Sequence, residues 1–277
     1  MTEILRYAAF TDDPRGGNPA GVVLDATGTD DLERQRIAAD VGYSETAFLE
    51  PGEDRRHGLR FFSPVAEVAF CGHATIATAV ALAERDGPGD LTFSTPAGRI
   101  EVATTVEADR TVARLTSVPT TSRPATGDEL AEALAALRWS EAALAPDTEP
   151  HVAFAGNQHL VLEVRSREVL ASLDYAFDAL ADVMTRHGWT TVQVVWTADD
   201  GTVHSRNPFP VGGVVEDPAT GAAAAALGGY LRAVGRASTV RTIVVVQGED
   251  MGRRSVLRVD VDPHDPRVAV SGTAVRI

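Results

Sequence analysis

Lysine is absent from this 277-residue chain; all 25 of its basic residues are arginine. Without a lysine amine there is no pyridoxal Schiff base, and a phosphate-binding loop ending in Gly-Lys-Ser/Thr is excluded as well. No G-x-G-x-x-G segment follows a strand pattern, which argues against a Rossmann cofactor. No G-x-S-x-G elbow occurs. Cysteine appears once, as Cys71, so no internal disulfide can form and no Cys-rich zinc site can be built. Long apolar runs are missing too, so no segment reads as a membrane span. Met1 to Phe10 lacks a basic stretch followed by an apolar one, so it does not read as a signal peptide. The expectation is a soluble, cytoplasmic protein. Its net charge of −14 disfavours nucleic acid and anionic membrane surfaces as partners.

What is present is a globular composition, with 44% hydrophobic residues and a mean hydropathy of −0.05. Strand signals cover Leu5–Thr11, Ala20–Leu24, Thr46–Leu49 and Leu59–Phe62, with a turn at Gly16-Gly17-Asn18-Pro19. Asp30–Val41 reads as a helix with Leu32, Ile37, Ala38 and Val41 on one face. Gly72–Glu84 is a helix apolar all round, hence buried. Strands resume at Leu91–Ser94 and Ile100–Val106. Composition changes between Pro119 and Pro150, which include a helix at Asp128–Leu137. The pattern then returns: a strand at Leu160–Val164, a helix at Phe177–His187 and a strand at Thr191–Trp196. A second all-apolar helix follows at Gly221–Val234, then strands at Ile243–Val246 and Val256–Val261.

The two halves read as a repeat. At an offset of 146 residues Arg60 falls on Arg206, Pro64-Val65 on Pro210-Val211 and Val68 on Val214. The same offset puts Gly42-Tyr43-Ser44 on Gly188-Trp189-Thr190, Cys71 on Asp217 and Ala77 on Ala223. Gly17-Asn18 echoes Gly156-Asn157. The boundaries expected are 1–118 for the first half and 119–264 for the second, with 265–277 crossing back to the first. Each half wraps strands around its apolar helix. The N-termini of both helices would then face a common cleft, where unpaired N–H groups suit a small anion. Gly72, Gly221 and Ala222 are small enough there to let a substrate reach the backbone.

Three polar residues interrupt apolar surroundings. Glu45 precedes a buried-looking strand, where partial desolvation suits a carboxylate to proton transfer near neutral pH; an exposed edge-strand glutamate is the plainer reading. His73 enters the buried helix, either as a proton carrier or as a capping or core histidine. Asp217 precedes Pro218, which reads as an N-cap with proline at N1 and is compatible with a site role. Cys71 reads as a small residue packing the helix start, and a two-thiol racemase is excluded because no second cysteine exists. His57, His151, His187, His204 and His264 read as loop or surface residues. His159, at a strand start, could face the cleft.

At these residues the chain resembles the PhzF family, the phenazine-biosynthesis-like isomerases with the diaminopimelate epimerase fold. The resemblance rests on Gly17-Asn18-Pro19-Ala20, Ser44-Glu45-Thr46-Ala47-Phe48 and Arg60-Phe61-Phe62-Ser63-Pro64. It continues through Glu67 to Thr75, Glu216-Asp217-Pro218-Ala219-Thr220-Gly221, Gln247-Gly248 and Met251-Gly252-Arg253. The resemblance implies an α/β (α+β) pseudo-two-fold duplicated fold, each half a strongly curved sheet wrapped around a central helix. It implies isomerisation without cofactor or metal; the best-understood member acts on trans-2,3-dihydro-3-hydroxyanthranilate. Glu45 would take a proton from carbon and redeliver it, assisted by His73 and Asp217, with Gly72, Gly221 and Ala222 at the substrate. A homodimer is implied too. Where the family motif continues to serine after Asp-Pro-Ala-Thr-Gly, this chain has Ala222, so a backbone contact survives there and a hydroxyl contact does not. The other readings of the same residues are a carboxylate-based epimerase or racemase, and a non-catalytic small-anion binder.

Overall fold

Every residue from His73 to Ala83 is buried in one helix, as the apolar run requires. Five of these eleven residues are alanine, which favours the helix and forfeits little side-chain entropy. Its two threonines satisfy their hydroxyls within the helix: Thr75 Oγ1 donates to Cys71 O and Thr78 Oγ1 to Ala74 O, both at 2.7 Å. The structure, a computed structural model, describes residues 2–277. It divides into two units, one running to Thr116 and including Ser271–Ile277, the other spanning Ser117–Val270.

In the first unit the order is β1 (Leu5–Ala9), β2 (Asn18–Val23), α1 (Asp31–Val41), β3 (Thr46–Glu50), β4 (Arg56–Phe62) and β5 (Glu67–Val68). The helix α2 (Gly72–Asp86), β6 (Gly89–Thr95), β7 (Gly98–Glu107) and β8 (Arg110–Thr116) follow. The second unit holds β9 (Thr121–Pro124), α3 (Gly127–Ala136), β10 (His151–Phe154), β11 (Gln158–Glu163), α4 (Arg167–Ala171) and α5 (Phe177–His187). It continues with β12 (Trp189–Thr197), β13 (Val203–Arg206), β14 (Pro208–Phe209), β15 (Val214–Glu216), α6 (Gly221–Ala233), β16 (Arg241–Gln247) and β17 (Ser255–Val261). The last strand, β18 (Val268–Arg276), returns to the first unit, where Tyr7 pairs with Arg276 and Ala9 with Ala274.

Each unit contains two parallel steps, and parallel neighbours need a crossover. In the first, α1 links β2 to β3 and α2 links β4 to β6. In the second, α4 and α5 link β11 to β12, and α6 links β13 to β16. The second crossover of each unit is its buried central helix. Antiparallel pairs such as β1–β2, β3–β4, β6–β7, β10–β11 and β16–β17 fill in between these steps. Strands β1, β2, β3, β7 and β8 pack on α2, and β9, β10, β11 and β17 pack on α6. The chain is therefore a duplicated α/β fold. The repeat extends to caps: Gly42 and Gly188 both end a helix in the left-handed region, at φ 72° and 67°, which glycine adopts without strain.

Four expectations need correction. Leu32 is 82% exposed. The buried positions of α1 are Arg34, Ile37 and Ala38; Arg34 shares their helical face and, buried, reaches Glu50 Oε1 at 2.8 Å. Asn18 and Pro19 open strand β2 instead of forming a turn; the chain reverses at Gly17, with φ 66°. His151 is 5% exposed, its Nδ1 2.8 Å from Ser122 Oγ and its ring edge-on to Tyr230. His159 is fully buried and does not face a cleft; its Nδ1 lies 2.8 Å from Thr191 Oγ1. Strand β11 is exposed at Gln158, its first residue, and buried over the next four, so His159 opens the buried stretch.

Candidate active site

In the first unit three elements converge on the start of α2. Strand β2 brings Asn18, the segment before β3 brings Ser44 and Glu45, and the helix brings His73. The His73 side chain is 7% exposed and that of Glu45 17%. Glu45 Oε2 lies 3.4 Å from His73 Nε2, and Ser44 Oγ is 3.4 Å from the same nitrogen. On the other side of the ring, Asn18 Nδ2 is 3.2 Å from Nδ1. An amide NH₂ only donates, so Nδ1 accepts and the hydrogen of the neutral ring sits on Nε2, toward Glu45.

Cys71 is the N-cap of α2 and is buried, in keeping with a packing role at the helix start. Its sulfur lies 3.3 Å from Nδ1 and 3.8 Å from Nε2. Being nearly equidistant from both nitrogens, it lies over the imidazole and not along either lone pair. One ligand atom each from Glu45, Cys71 and His73 lies within 4.8 Å of the others. A shared zinc ion would need its histidine nitrogen aimed in the ring plane at the metal. As arranged, the ring would have to turn before all three could bind one ion.

In the second unit Asp217 is partly buried in the loop before α6. It is not the N-cap; Thr220 is, and Gly221 begins the helix. Pro218 and Ala219 stay outside the helix, and Asp217 Oδ2 accepts from Thr220 Oγ1 at 2.5 Å. The loop is tied by Gln247, whose Nε2 donates to Asp217 O at 2.7 Å and to Thr220 Oγ1 at 3.0 Å. The Asp217 N–H donates to Asn207 O at 3.1 Å. Neither Cys71 nor Thr220 makes a side-chain cap bond to its helix. The first-turn residues Gly72, Gly221 and Ala222 are all partly accessible.

These caps revise the repeat. Cys71 and Thr220 are 149 residues apart and hold the same position on their helices, as do Gly72 and Gly221. Cys71 therefore corresponds to Thr220 and not to Asp217, and Ala77 not to Ala223. The 146-residue offset holds up to Arg60 and Arg206. A 3₁₀ turn at Pro210–Gly212 lengthens the second copy after that point. In both copies the arginine grips a glutamate at the offset of 149. Arg60 bonds Glu67 at 2.7 and 2.8 Å, and Arg206 bonds Glu216 at 2.7 and 3.0 Å.

Asn18, Ser44, Thr220 and Gln247 are the contacting residues that the sequence reading did not single out. The repeated Gly-Asn pair is the available signal for Asn18; Gln247 stands in the sequence only as part of Gln247-Gly248, one of the segments that carry the family resemblance.

A unit of sheet packed around a buried helix, present twice in the chain, places it in the diaminopimelate epimerase-like fold class. The chain belongs to the PhzC-PhzF family of phenazine biosynthesis-like proteins, whose model matches residues 7–277. It is similar to an uncharacterized isomerase of Clostridium acetobutylicum, 31% identical over 98% of this chain and 95% of that one. Among solved structures it is similar to the PhzF-family phenazine biosynthesis protein of Bacillus anthracis. That chain superposes with a TM-score of 0.90 at 26% identity, covering 100% of this chain and 97% of that one. A predicted epimerase of Pseudomonas aeruginosa gives a TM-score of 0.85 at 26% identity with the same coverage. Among the described residues, no helix is long and apolar enough to cross a membrane.

Proposed function

We propose that this chain is a cofactor-independent isomerase that moves a proton on a small carboxylate-bearing substrate, with Glu45 as its general base and acid. The observation that carries the reading is the Glu45–His73 pair, 3.4 Å apart, in a chain whose family match spans nearly its whole length. Glu45 takes a proton from a substrate carbon; the electron pair left behind moves into the adjoining π system; Glu45 returns the proton to another carbon. No atom is gained or lost. The 3.4 Å contact is longer than a formed N–H···O bond and would tighten when substrate brings the groups together. The His73 Nε2–H then stabilises the carboxylate form of Glu45. Asp217 assists binding and protonation. The proposed substrate contacts are the first-turn amides of Gly72 in one unit and of Gly221 and Ala222 in the other, through backbone alone at Ala222.

Proton NMR in D₂O tests this with trans-2,3-dihydro-3-hydroxyanthranilate, comparing the wild type with Glu45→Gln. The expected result is loss of substrate signals in the wild type and a fall of about 10²-fold or more in the variant. Undiminished turnover by the variant sinks the role of Glu45. No turnover by either protein removes this substrate and sends the same comparison to other small carboxylates.

A second reading, epimerisation at a single carbon, draws support from the similarity to the Pseudomonas aeruginosa protein. Thr220 corresponds to Cys71, so paired thiols are not available for it, and Glu45 would again carry the proton. Deuterium appearing at a stereocentre without a double-bond shift favours this reading. The working form proposed is a cytoplasmic homodimer. Light scattering should give twice the chain mass of 29.3 kDa.

A further inference from the structure

Gln247 ends strand β16 and is fully buried. Burying a primary amide is costly unless its hydrogen bonds are made. Here two backbone groups dictate how the amide must point. The carbonyl of Asp217 can only accept, so Nε2 faces it at 2.7 Å. The N–H of Thr220 can only donate, so Oε1 faces it at 3.2 Å. The second Nε2 hydrogen then meets Thr220 Oγ1 at 3.0 Å. A hydroxyl that accepts from an amide has its own hydrogen left to give. The acceptor is Asp217 Oδ2, 2.5 Å away.

We propose that Gln247 is a positioning residue that acts through Thr220: it sets the direction of the hydroxyl so that Asp217 receives a hydrogen bond from it. The neighbouring residue keeps the loop against the strand end. Gly248 has φ +75°, and a Cβ there would lie 2.8 Å from Pro218 O and 2.4 Å from Arg253 O. The other acid of the loop, Glu216, is engaged by Arg206 at 2.7 Å, and the first turn of α6 carries no acidic residue. The directed donor is one local influence on the Asp217 carboxyl, and a substitution of Thr220 removes it. Its meaning for the reaction rests on the isomerase reading above; the hydrogen-bond direction itself does not.

The test uses the full chain with ¹³C-labelled carboxyl carbons, following the titration of Asp217, assigned by its loss in Asp217→Asn. In Thr220→Val the carboxylate loses a donated hydrogen bond, so its midpoint should rise by about half a pH unit or more. Thr220→Ser should restore it, and the Glu45 midpoint should not move in either variant. In Thr220→Val one of the two Gln247 Nε2 hydrogens loses its acceptor, and its resonance should move while the other holds. Gln247→Met should raise the Asp217 midpoint in the same direction, and the double variant should go no further than Thr220→Val alone. Should Gln247→Met not fold, the Gln247 resonances in Thr220→Val still decide the link. An unmoved Asp217 midpoint or unmoved Gln247 resonances in Thr220→Val overturn the proposal. All of these readouts are independent of turnover, so a failed isomerase reading leaves the test intact.

Discussion

The side-chain amide of Asn18 donates to Nδ1 of His73 across 3.2 Å, and this contact decides which ring nitrogen carries hydrogen. Asn18 is 1% exposed and opens strand β2, so the donor is held by the sheet and not by a mobile loop. With Nδ1 accepting, Nε2–H is left for Glu45. A fixed outer partner of this kind is what sets an imidazole's tautomer.

Asn18→Asp should reverse that arrangement. A carboxylate in place of the amide accepts instead of donating, so Nδ1 must carry hydrogen. In ¹⁵N-histidine spectra at about pH 8, the wild-type His73 should show an unprotonated Nδ1 and a protonated Nε2. The variant should show Nδ1 protonated. Turnover that depends on Glu45 should fall with it, by about tenfold or more, because the neutral ring then offers Glu45 no hydrogen. An unprotonated Nδ1 in the variant would show that the asparagine does not set the ring.

The duplicated arginine–glutamate grips compare one ion pair at two depths, with a second carboxylate, Asp31 Oδ1, 2.5 Å from Arg60 at the shallower site. The side chains of Arg60 and Glu67 are 25% and 34% exposed. Those of Arg206 and Glu216 are 13% and 6% exposed. Removing an accessible partner costs little, because water takes over the charge; removing a buried one strands the other ion. Glu67→Ala should cost about 0–1 kcal/mol and Glu216→Ala about 3–5 kcal/mol, read by urea unfolding. Arg206 also donates to the carbonyls of Leu170, Ala171 and Leu173, which neutralise none of its charge. Equal costs at the two sites would mean that burial does not separate them.

The sequence pattern carried the elements whose physics is periodic. Two helices apolar on every side had to be buried, and α5 lies at Phe177–His187 as its periodicity requires. The repeat was legible through glycine caps and the arginine pair. Its offset could not be followed past Pro210, because a three-residue 3₁₀ turn leaves no signature that distinguishes it from strand. Leu32 misled because hydrophobic type says nothing of a competing arginine whose stem packs on the same face as Ile37 and Ala38. Glu45 and His73 could be named as polar residues among apolar ones, and the structure brings them to 3.4 Å. Asn18 and Gln247 could not be found that way, since their roles depend on contacts with residues 55 and 30 positions away.

His159 makes a sharp prediction about acid stability. It is wholly buried, its Nδ1 is engaged with Thr191 Oγ1, and its Nε2 has no hydrogen-bond partner. Desolvation pushes its pKa down from 6.5 to about 3, so the folded protein holds the ring neutral where the unfolded chain would protonate it. Between those two values the unfolded state binds the extra proton, so stability rises with pH. The contribution is fully present above about pH 6.5, declines as the pH falls toward 3, and stops changing below that. Over the whole window the loss should be several kcal/mol, on the order of 1.4 for each pH unit. His159→Gln keeps a polar partner for Thr191 but does not titrate, so its unfolding free energy should lose this part of the slope between about pH 6 and pH 4. Urea unfolding of both proteins at several pH values across that range measures the difference. Parallel pH dependences would mean that His159 is not held neutral by burial in the folded chain.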